Sequence, residues 1–308
     1  MSGDYAEPTA RLSTEFAVVI PAFNAKATLM ASIESAHNAG ASEVIVVDDG
    51  STDGTAALCR AHGIHVLVQS NSGAYLARRR GAALVTAPLI VFLDADDLLV
   101  AAGVHESLRI LSEQEDCAVV AGRVMASLPR GRSRLNKQPY SEINTRTLLT
   151  QGFGPFPPGA AVVRRADYEA AIALDVPEIV ERYADDYEMF IRLSVVGRIV
   201  QHNTVSLVYS MYAGKSIGSP EKSLLCKESI RGHYARHLGI TVRLMNASAV
   251  AAAANARMGR ASFAQGLYLR GCTKVAVAAC YKVLSRLGSS GPKEPTIGSG
   301  AGTSEARG

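Results

Sequence analysis

Four short apolar runs, each ending in a cluster of polar residues, constrain this chain more than any other feature. They cover residues 16–20, 44–47, 64–68 and 89–93. Their residues are mostly β-branched or aromatic, and nearly continuous rather than alternating. That is the pattern of strands covered on both faces, as in a parallel sheet. Segments with helical spacing separate them. Leu29, Ile33 and Ala36 fall at i, i+4 and i+7, Ser51 or Asp53 is placed to cap the next helix, and residues 74–85 supply another. This alternation predicts an α/β fold with an open, Rossmann-like, mostly parallel sheet flanked by helices. A further strand is expected over 160–163.

In such sheets ligands bind outside the carboxyl ends of the strands, and the polar clusters fall there. Pro21-Ala22-Phe23-Asn24 follows the first strand, and Asp48-Asp49-Gly50-Ser51-Thr52-Asp53 the second. Asn71-Ser72-Gly73, leading to Arg78, follows the third, and Asp94-Ala95-Asp96-Asp97 the fourth. One such cluster reads equally well as a helix cap; four on one edge point to a site. Asp94 and Asp96, two apart in extended chain, would share a side, and with Asp97 they repel one another unless a positive charge sits between them. Mg²⁺ or Mn²⁺ supplies that charge and brings phosphate oxygens as its other ligands. A D-x-D triplet alone arises often by chance and also fits an acidic turn. Neither the G-x-G-x-x-G turn of dinucleotide-binding sheets nor a P-loop follows the first strand.

Taken together, these segments resemble the family 2 glycosyltransferases of GT-A fold over roughly residues 16–210. The resemblance implies transfer of a sugar, with inversion, from a nucleotide-diphosphate donor (most often UDP-linked) to an acceptor hydroxyl. It implies that Pro21, Ala22, Phe23 and Asn24 line the nucleoside pocket, that Asp49 accepts a hydrogen bond from the base, and that Asp48 supports that loop. Asn71, Gly73 and Arg78 would build the other wall. Asp94 would face the ribose, with Ala95 beside it, and Asp96 would bind the divalent metal. Asp97 is either a supporting carboxylate or a helix cap. Downstream, Asp185-Asp186-Tyr187-Glu188 through Arg192-Leu193 resembles the family's E-D-x-x-x-x-x-R stretch and implies Asp186 as the general base. Asp185 stands where Glu is usual. The late Arg and His of many members are missing; Lys215 or Tyr212 is the candidate substitute. No Trp occurs, so the Q-x-x-R-W signature of processive synthases is absent. A sugar-1-phosphate nucleotidyltransferase would need a Gly-rich basic loop after the first strand, which residues 21–26 do not provide. The alternative from another class is a non-catalytic nucleotide-sugar-binding or scaffold protein of the same fold.

Charge divides the 308 residues unevenly. Residues 231–287 hold nine Lys and Arg and no acid, so this segment contributes +9 to a net charge of +4 and leaves −5 on the rest. The expected organisation is a loose tail over 1–14, a glycosyltransferase-like domain over 15–230, a basic helical extension over 231–287 and a disordered tail over 288–308. Near the end, Arg270, Lys274, Lys282 and Arg286 occupy one helical arc, and Ala276, Val277, Cys280, Val283, Leu284 and Leu287 another. The region 260–287 therefore suits peripheral contact with an anionic membrane, where a lipid-linked acceptor would lie. It suits equally packing on its own domain or on a second copy as a homodimer. The acceptor is read as a carbohydrate or a lipid-linked species, and nucleic acid is not an expected partner. In the segment 151–159, Phe153 and Phe156 could face an acceptor or simply pack. Five cysteines without metal spacing, and no leader pattern, read as buried thiols of a cytoplasmic protein.

Overall fold

The computed structural model describes residues 14–128, 131–179, 183–210, 219–264 and 267–287. Residues 1–13 of the first expected tail, all of the second and the segment with Tyr212 and Lys215 lie outside the described residues, as do the side chains of Arg286 and Leu287.

The first half alternates as its apolar runs require: β1 (Phe16–Ala22), α1 (Leu29–Asn38), β2 (Glu43–Asp48), α2 (Thr55–Ala61), β3 (Val66–Val68), α3 (Ala74–Ala82) and β4 (Leu89–Phe92). These strands are parallel in the order β3-β2-β1-β4, with Ala22 opposite Asp48 and Val19 opposite Phe92. Residues Ala17, Val18, Val19 and Ile20 are fully buried, because helices cover both faces of the sheet. Burying each larger side chain of this kind contributes about 1.5–3 kcal/mol. Helix α1 turns Leu29, Ile33 and Ala36 inward, as their spacing demands. Helix α3 lies hard against β1: a Cβ on Gly81 would sit 2.4 Å from Val19 Cγ1, so glycine alone fits there. Neither expected cap of α2 serves as such. The N-cap is Gly54, at φ 89°, and Asp53 accepts from the Thr55 amide and hydroxyl instead.

The second half contains β5 (Leu98–Leu99), α4 (Ala101–Glu113), β6 (Cys117–Leu128), β7 (Arg132–Leu135), α5 (Thr145–Gln151), β8 (Ala161–Arg164), α6 (Arg165–Ile172), α7 (Asp185–Val196) and β9 (Arg198–Ser210). Here the sheet departs from the mostly parallel expectation. Strand β8 joins β4 antiparallel, β6 joins β8 antiparallel, β9 runs parallel to β6, and β5 closes the edge antiparallel to β9. The sheet is thus parallel at one end and mixed at the other.

Three helices complete the described chain: α8 (Pro220–His237), α9 (Ala247–Ala264) and α10 (Tyr268–Leu287). The boundary expected at 230/231 falls inside α8, which is continuous with the α/β body. Its Ile230, Tyr234 and Ala235 belong to the main core. Arg231, counted in the basic extension, is buried there; its Nε donates to the Leu149 carbonyl (2.7 Å) and a terminal nitrogen pairs with Glu228 (2.6 Å). Helices α9 and α10 pack on each other through Gly259 and Gly271, where an added Cβ would meet Val275 and Phe263 at under 3 Å. A small cluster of Leu224, Val250 and Ala254 fastens α9 to α8. The expected apolar arc of α10 does not face α9: Val283 and Leu284 are more than half exposed. Cys59 and Cys117 are buried, whereas Cys226 is half-buried and Cys272 and Cys280 are exposed on α10, contrary to five buried thiols. No helix among the described residues is long and apolar enough to cross a membrane.

Candidate active site

The carboxyl ends of β1, β2 and β3 carry three loops that are laced together. Asn24 takes a left-handed conformation (φ 50°), which Asn tolerates better than most residues. From it, the backbone N–H donates to the Ser51 hydroxyl (2.8 Å) and Oδ1 accepts from the Thr52 amide (2.9 Å). Asp48 is buried and accepts from the amide and hydroxyl of Ser51. Asp49 differs from expectation. It is 3% exposed, and its oxygens accept from Gln69 Nε2 (2.8 Å), the Ser72 amide (2.6 Å) and the Gly73 amide (2.9 Å). These bonds brace β2 against the 69–73 loop. Gly50 makes this possible, since a Cβ there would press within 3.1 Å of the Asn71 nitrogen. Ala22 is buried beneath the loops, while Phe23 and Asn71 are exposed at their rim, with Pro21 and Gly73 between.

Arg78 departs from expectation too. It is 7% exposed and reaches inward from α3 rather than forming a wall. One terminal nitrogen donates to Asp94 Oδ1 (2.6 Å) and the other to Asp185 Oδ2 (2.5 Å). Burial alone would lower its pKa, but the carboxylates of Asp94, Asp185 and Asp186 outweigh that and raise it. The positive charge that the acidic triplet requires is therefore supplied in part by the chain itself. Burial pushes Asp185 up to about 6 against the pull of Arg78, with Asp186 and Asp94 adding to the rise.

Asp94 begins a tight turn in which the Asp97 amide donates to the Asp94 carbonyl (3.1 Å), so the triplet is not extended. Asp96 is exposed on the open side of this turn, and the protein behind it and the Asp94 charge both push its pKa up. Asp97 is buried; burial first, then Asp94, pushes it up to about 8. Its Oδ1 accepts from the Ser210 amide (2.8 Å), and its Oδ2 is buried with no partner. Strand pairing explains the contact, because Leu98 lies opposite Val208 and so carries the end of β9 past the turn. Tyr209 stands at the centre of the acids. Burial raises its pKa most, followed by the fields of Asp97, Asp94, Asp186 and Asp96.

Asp186 occupies the first turn of α7, following Ala184 in a left-handed conformation (φ 68°). Its Oδ1 accepts from the Tyr187 amide (2.8 Å), and a Cβ on Gly154 would lie 4.0 Å from its Oδ2. The 151–159 segment therefore borders this carboxylate. Phe156 is a packing residue, edge-on to Phe190 at 4.8 Å, and Phe153 packs on Tyr140 at 5.2 Å. Behind Asp185 and Asp186 lies a cavity of about 30 Å³ bounded by Arg78, Tyr168, Glu188 and Arg192, room for roughly one water.

Asp94, Asp96, Asp97 and Asp186 thus converge, and Arg78 and Asp185 tie them together. Sequence reasoning did not single out Tyr209 or Lys227. Burial lowers the pKa of Lys227, against the attraction of Asp186, and Arg257 lowers it further. Its position relative to Arg231 and Tyr234, four and seven residues on, was the available signal. A divalent cation fits this site chemically. Three carboxylates crowd one turn, Asp94 alone of them has an ion-pair partner among the described residues, and a buried Asp97 oxygen is unsatisfied. No three His, Cys, Asp or Glu side chains among the described residues form a cage unaided, so ligands from outside the chain would complete the shell.

Comparison with known proteins agrees with this geometry. Over 136 residues the chain is 34% identical to Glycosyltransferase AglJ of Haloferax volcanii, a stretch that covers 44% of this chain and 45% of that protein. It is 28% identical over 139 residues to Uncharacterized glycosyltransferase YibD of Escherichia coli, covering 40% of each. The matched stretch spans less than half the length of these relatives. In fold, the chain is similar to S. aureus TarS 1-349 in complex with UDP-GlcNAc, with a TM-score of 0.56 at 16% identity over 89% of this chain and 92% of that one. Residues 17–171, half of the chain, match the model described as Glycosyl transferase family 2, and the chain belongs to that family.

Proposed function

We propose that this protein is an inverting glycosyltransferase that moves a sugar from a nucleotide-diphosphate donor, a UDP-sugar, to an acceptor hydroxyl for glycan, glycolipid or cell-envelope polysaccharide synthesis, with Asp186 as general base. The observation that supports the reading is that Arg78 pairs with Asp94 on the β4 turn and with Asp185 at the start of α7, the neighbour of Asp186. The UDP-GlcNAc complex of the similar TarS fold supports the choice of donor class.

In this reading the rim of Pro21, Phe23, Asn24, Asn71 and Gly73 receives the nucleoside, and Asp48 and Asp49 hold that rim in shape. Asp94 faces the ribose with one oxygen while Arg78 holds the other. Asp96 would hold a Mn²⁺ or Mg²⁺ ion, which, when bound, supplies positive charge to the departing diphosphate. Asp186 accepts the proton of the acceptor hydroxyl as it attacks the anomeric carbon from the opposite face. The segment 151–159 shields that hydroxyl from competing water, since Gly154 and its neighbours lie over the carboxylate. Single displacement requires no covalent intermediate. The exposed apolar arc of α10, flanked by Arg270, Lys274 and Lys282, suits peripheral attachment to an anionic membrane on the cytoplasmic side.

The test replaces Asp186 with Asn. Transfer should fall about 10²- to 10⁴-fold, the usual contribution of a positioned base, while UDP binding stays within twofold of the parent. Equal transfer by variant and parent would remove the base from the mechanism.

A further inference from the structure

Glu188 is a buried carboxylate with one of its two oxygens in use. It lies on α7 three residues after Asp185 and four before Arg192, so the three share one face of the helix. That face turns toward α3 and the end of α6, where Asp185 meets Arg78 and Arg192 meets the Ala171 carbonyl. Glu188 is 2% exposed. Its Oε1 accepts from the Ile179 amide (2.8 Å) and from the Tyr234 hydroxyl of α8 (2.7 Å). Its Oε2 has no partner, and no cation among the described residues forms an ion pair with it. Arg192 is committed elsewhere, to the carbonyls of Ala171, Ile172 and Val176 and to the Tyr234 hydroxyl.

Arg78 carries the complementary deficit. Its terminal nitrogens are taken by Asp94 and Asp185, while its Nε is buried with no partner. Arg78 and Glu188 both line the cavity of about 30 Å³ behind Asp185 and Asp186. An N–H without an acceptor and a carboxylate oxygen without a donor are each costly to bury. One water answers both, because it accepts from Nε and donates to Oε2, and the space holds about one. Asp185 borders the same cavity and offers an acceptor for the second proton of that water. Three partners are the usual complement of a buried water.

We propose that a buried water bridges Arg78 Nε to Glu188 Oε2, and that Glu188 is thereby a positioning residue for the base. With the bridge in place the guanidinium is held in all three of its donor directions, by Asp94, by Asp185 and, through the water, by Glu188. Its plane no longer pivots on the two ion pairs. The first turn of α7, where Asp186 follows Asp185, then keeps a fixed offset from the β4 turn that carries Asp94. Glu188 touches neither donor nor acceptor; it acts through Arg78. Tyr234 orients Glu188 in turn, so α8 supports the site without entering it. The link to the base rests on the proposed transferase function, whereas the bridge itself does not.

The experiment joins crystallography to kinetics on the full chain. A crystal structure of the parent should show one ordered water within about 3.2 Å of both Arg78 Nε and Glu188 Oε2. Glu188→Gln keeps an oxygen for Ile179 and Tyr234 and turns an amide nitrogen, a donor, toward the cavity. The water then meets donors on both sides. In the variant it should be lost or displaced, and the guanidinium should rotate off Asp185. Turnover, read as UDP released from UDP-GlcNAc, should fall roughly 10- to 100-fold, as expected when a base is misplaced by about 1 Å. UDP affinity, measured by calorimetry, should stay within about twofold of the parent. A dry cavity or a direct Arg78–Glu188 bond in the parent would overturn the bridge. Unchanged turnover in the variant, or turnover and UDP affinity lost together, would overturn the positioning role. Failure of the parent to turn over UDP-GlcNAc would count against the transferase reading and its donor instead, and the place of Arg78 in the two crystal structures would still decide what Glu188 does.

Discussion

Arg78 spans two carboxylates that lie 16 and 107 residues away in sequence, and that span couples the donor side of the site to the base side. Replacing it with Met would leave Asp94 and Asp185 facing each other across an apolar side chain. Breaking a buried pair by removing one partner costs about 3–5 kcal/mol, and the partial exposure of Asp94 puts the expected loss at the lower end, about 3 kcal/mol. A urea unfolding curve measures this; an unchanged midpoint would mean that the fork is not formed. Asp185 adds a pH signature. Its pKa is raised by burial to about 6 in the folded chain, against about 4 for an ordinary Asp. Between these values the folded state binds the proton more tightly than the unfolded one, so this group's contribution to stability falls as pH rises through about 4 to 6. Asp185→Asn removes that titration. Relative to the variant, the parent should lose thermal stability over this window, and parallel profiles would show that Asp185 titrates normally.

Helix α3 carries Arg78, and its closeness to β1 sets how far the guanidinium reaches. Gly81→Ala would push a methyl to 2.4 Å from Val19 Cγ1 and 3.1 Å from Val47 Cγ2, both buried in the sheet. Overpacking of this kind costs typically about 1–3 kcal/mol. It should also weaken UDP binding several-fold by displacing α3, whereas an exposed substitution such as Arg80→Ala should leave both measurements alone. Intact affinity in a destabilised Gly81→Ala variant would separate the helix position from the site. At this scale the sequence is informative where burial is two-sided. The runs that form β1, β2 and β4 are continuous because helices cover both faces, and α1 shows its spacing because one face alone is buried. Strand β9 gives no such signal, since its residues alternate between buried and exposed without a clean period. The antiparallel entry of β8 depends on long-range pairing that local pattern does not encode. The same limit applies in the site. Asp48, Asp94 and Asp186 stand out by strand-end position and by family motif, but the bracing role of Asp49 and the inward turn of Arg78 depend on partners brought together by folding.

Across the whole molecule, charge and apolar exposure coincide on α10, the element furthest along the described chain. Tyr268, Leu269, Val283 and Leu284 are all more than half exposed, and Arg270 and Lys282 are exposed on the same helix. A contiguous apolar arc open to water is costly to maintain unless something covers it. The choice of occupant follows from charge: the sequence from 229 to 293 contains no acid, so a like-charged second copy would repel across this face, while anionic lipid would attract it. Each basic residue near an anionic bilayer is worth about 1 kcal/mol, close to fivefold in affinity. Replacing Arg270, Lys274 and Lys282 together by Gln should therefore weaken binding to phosphatidylglycerol-containing vesicles by roughly 100-fold, with little effect on thermal stability. Raising salt from 0.05 to 0.5 M should release the parent in the same way, because the attraction is screened within a Debye length of about 10 Å at 0.1 M. Sedimentation with vesicles of phosphatidylcholine alone and with phosphatidylglycerol makes the comparison. Equal sedimentation of parent and triple variant with the anionic vesicles would assign the arc to a protein surface.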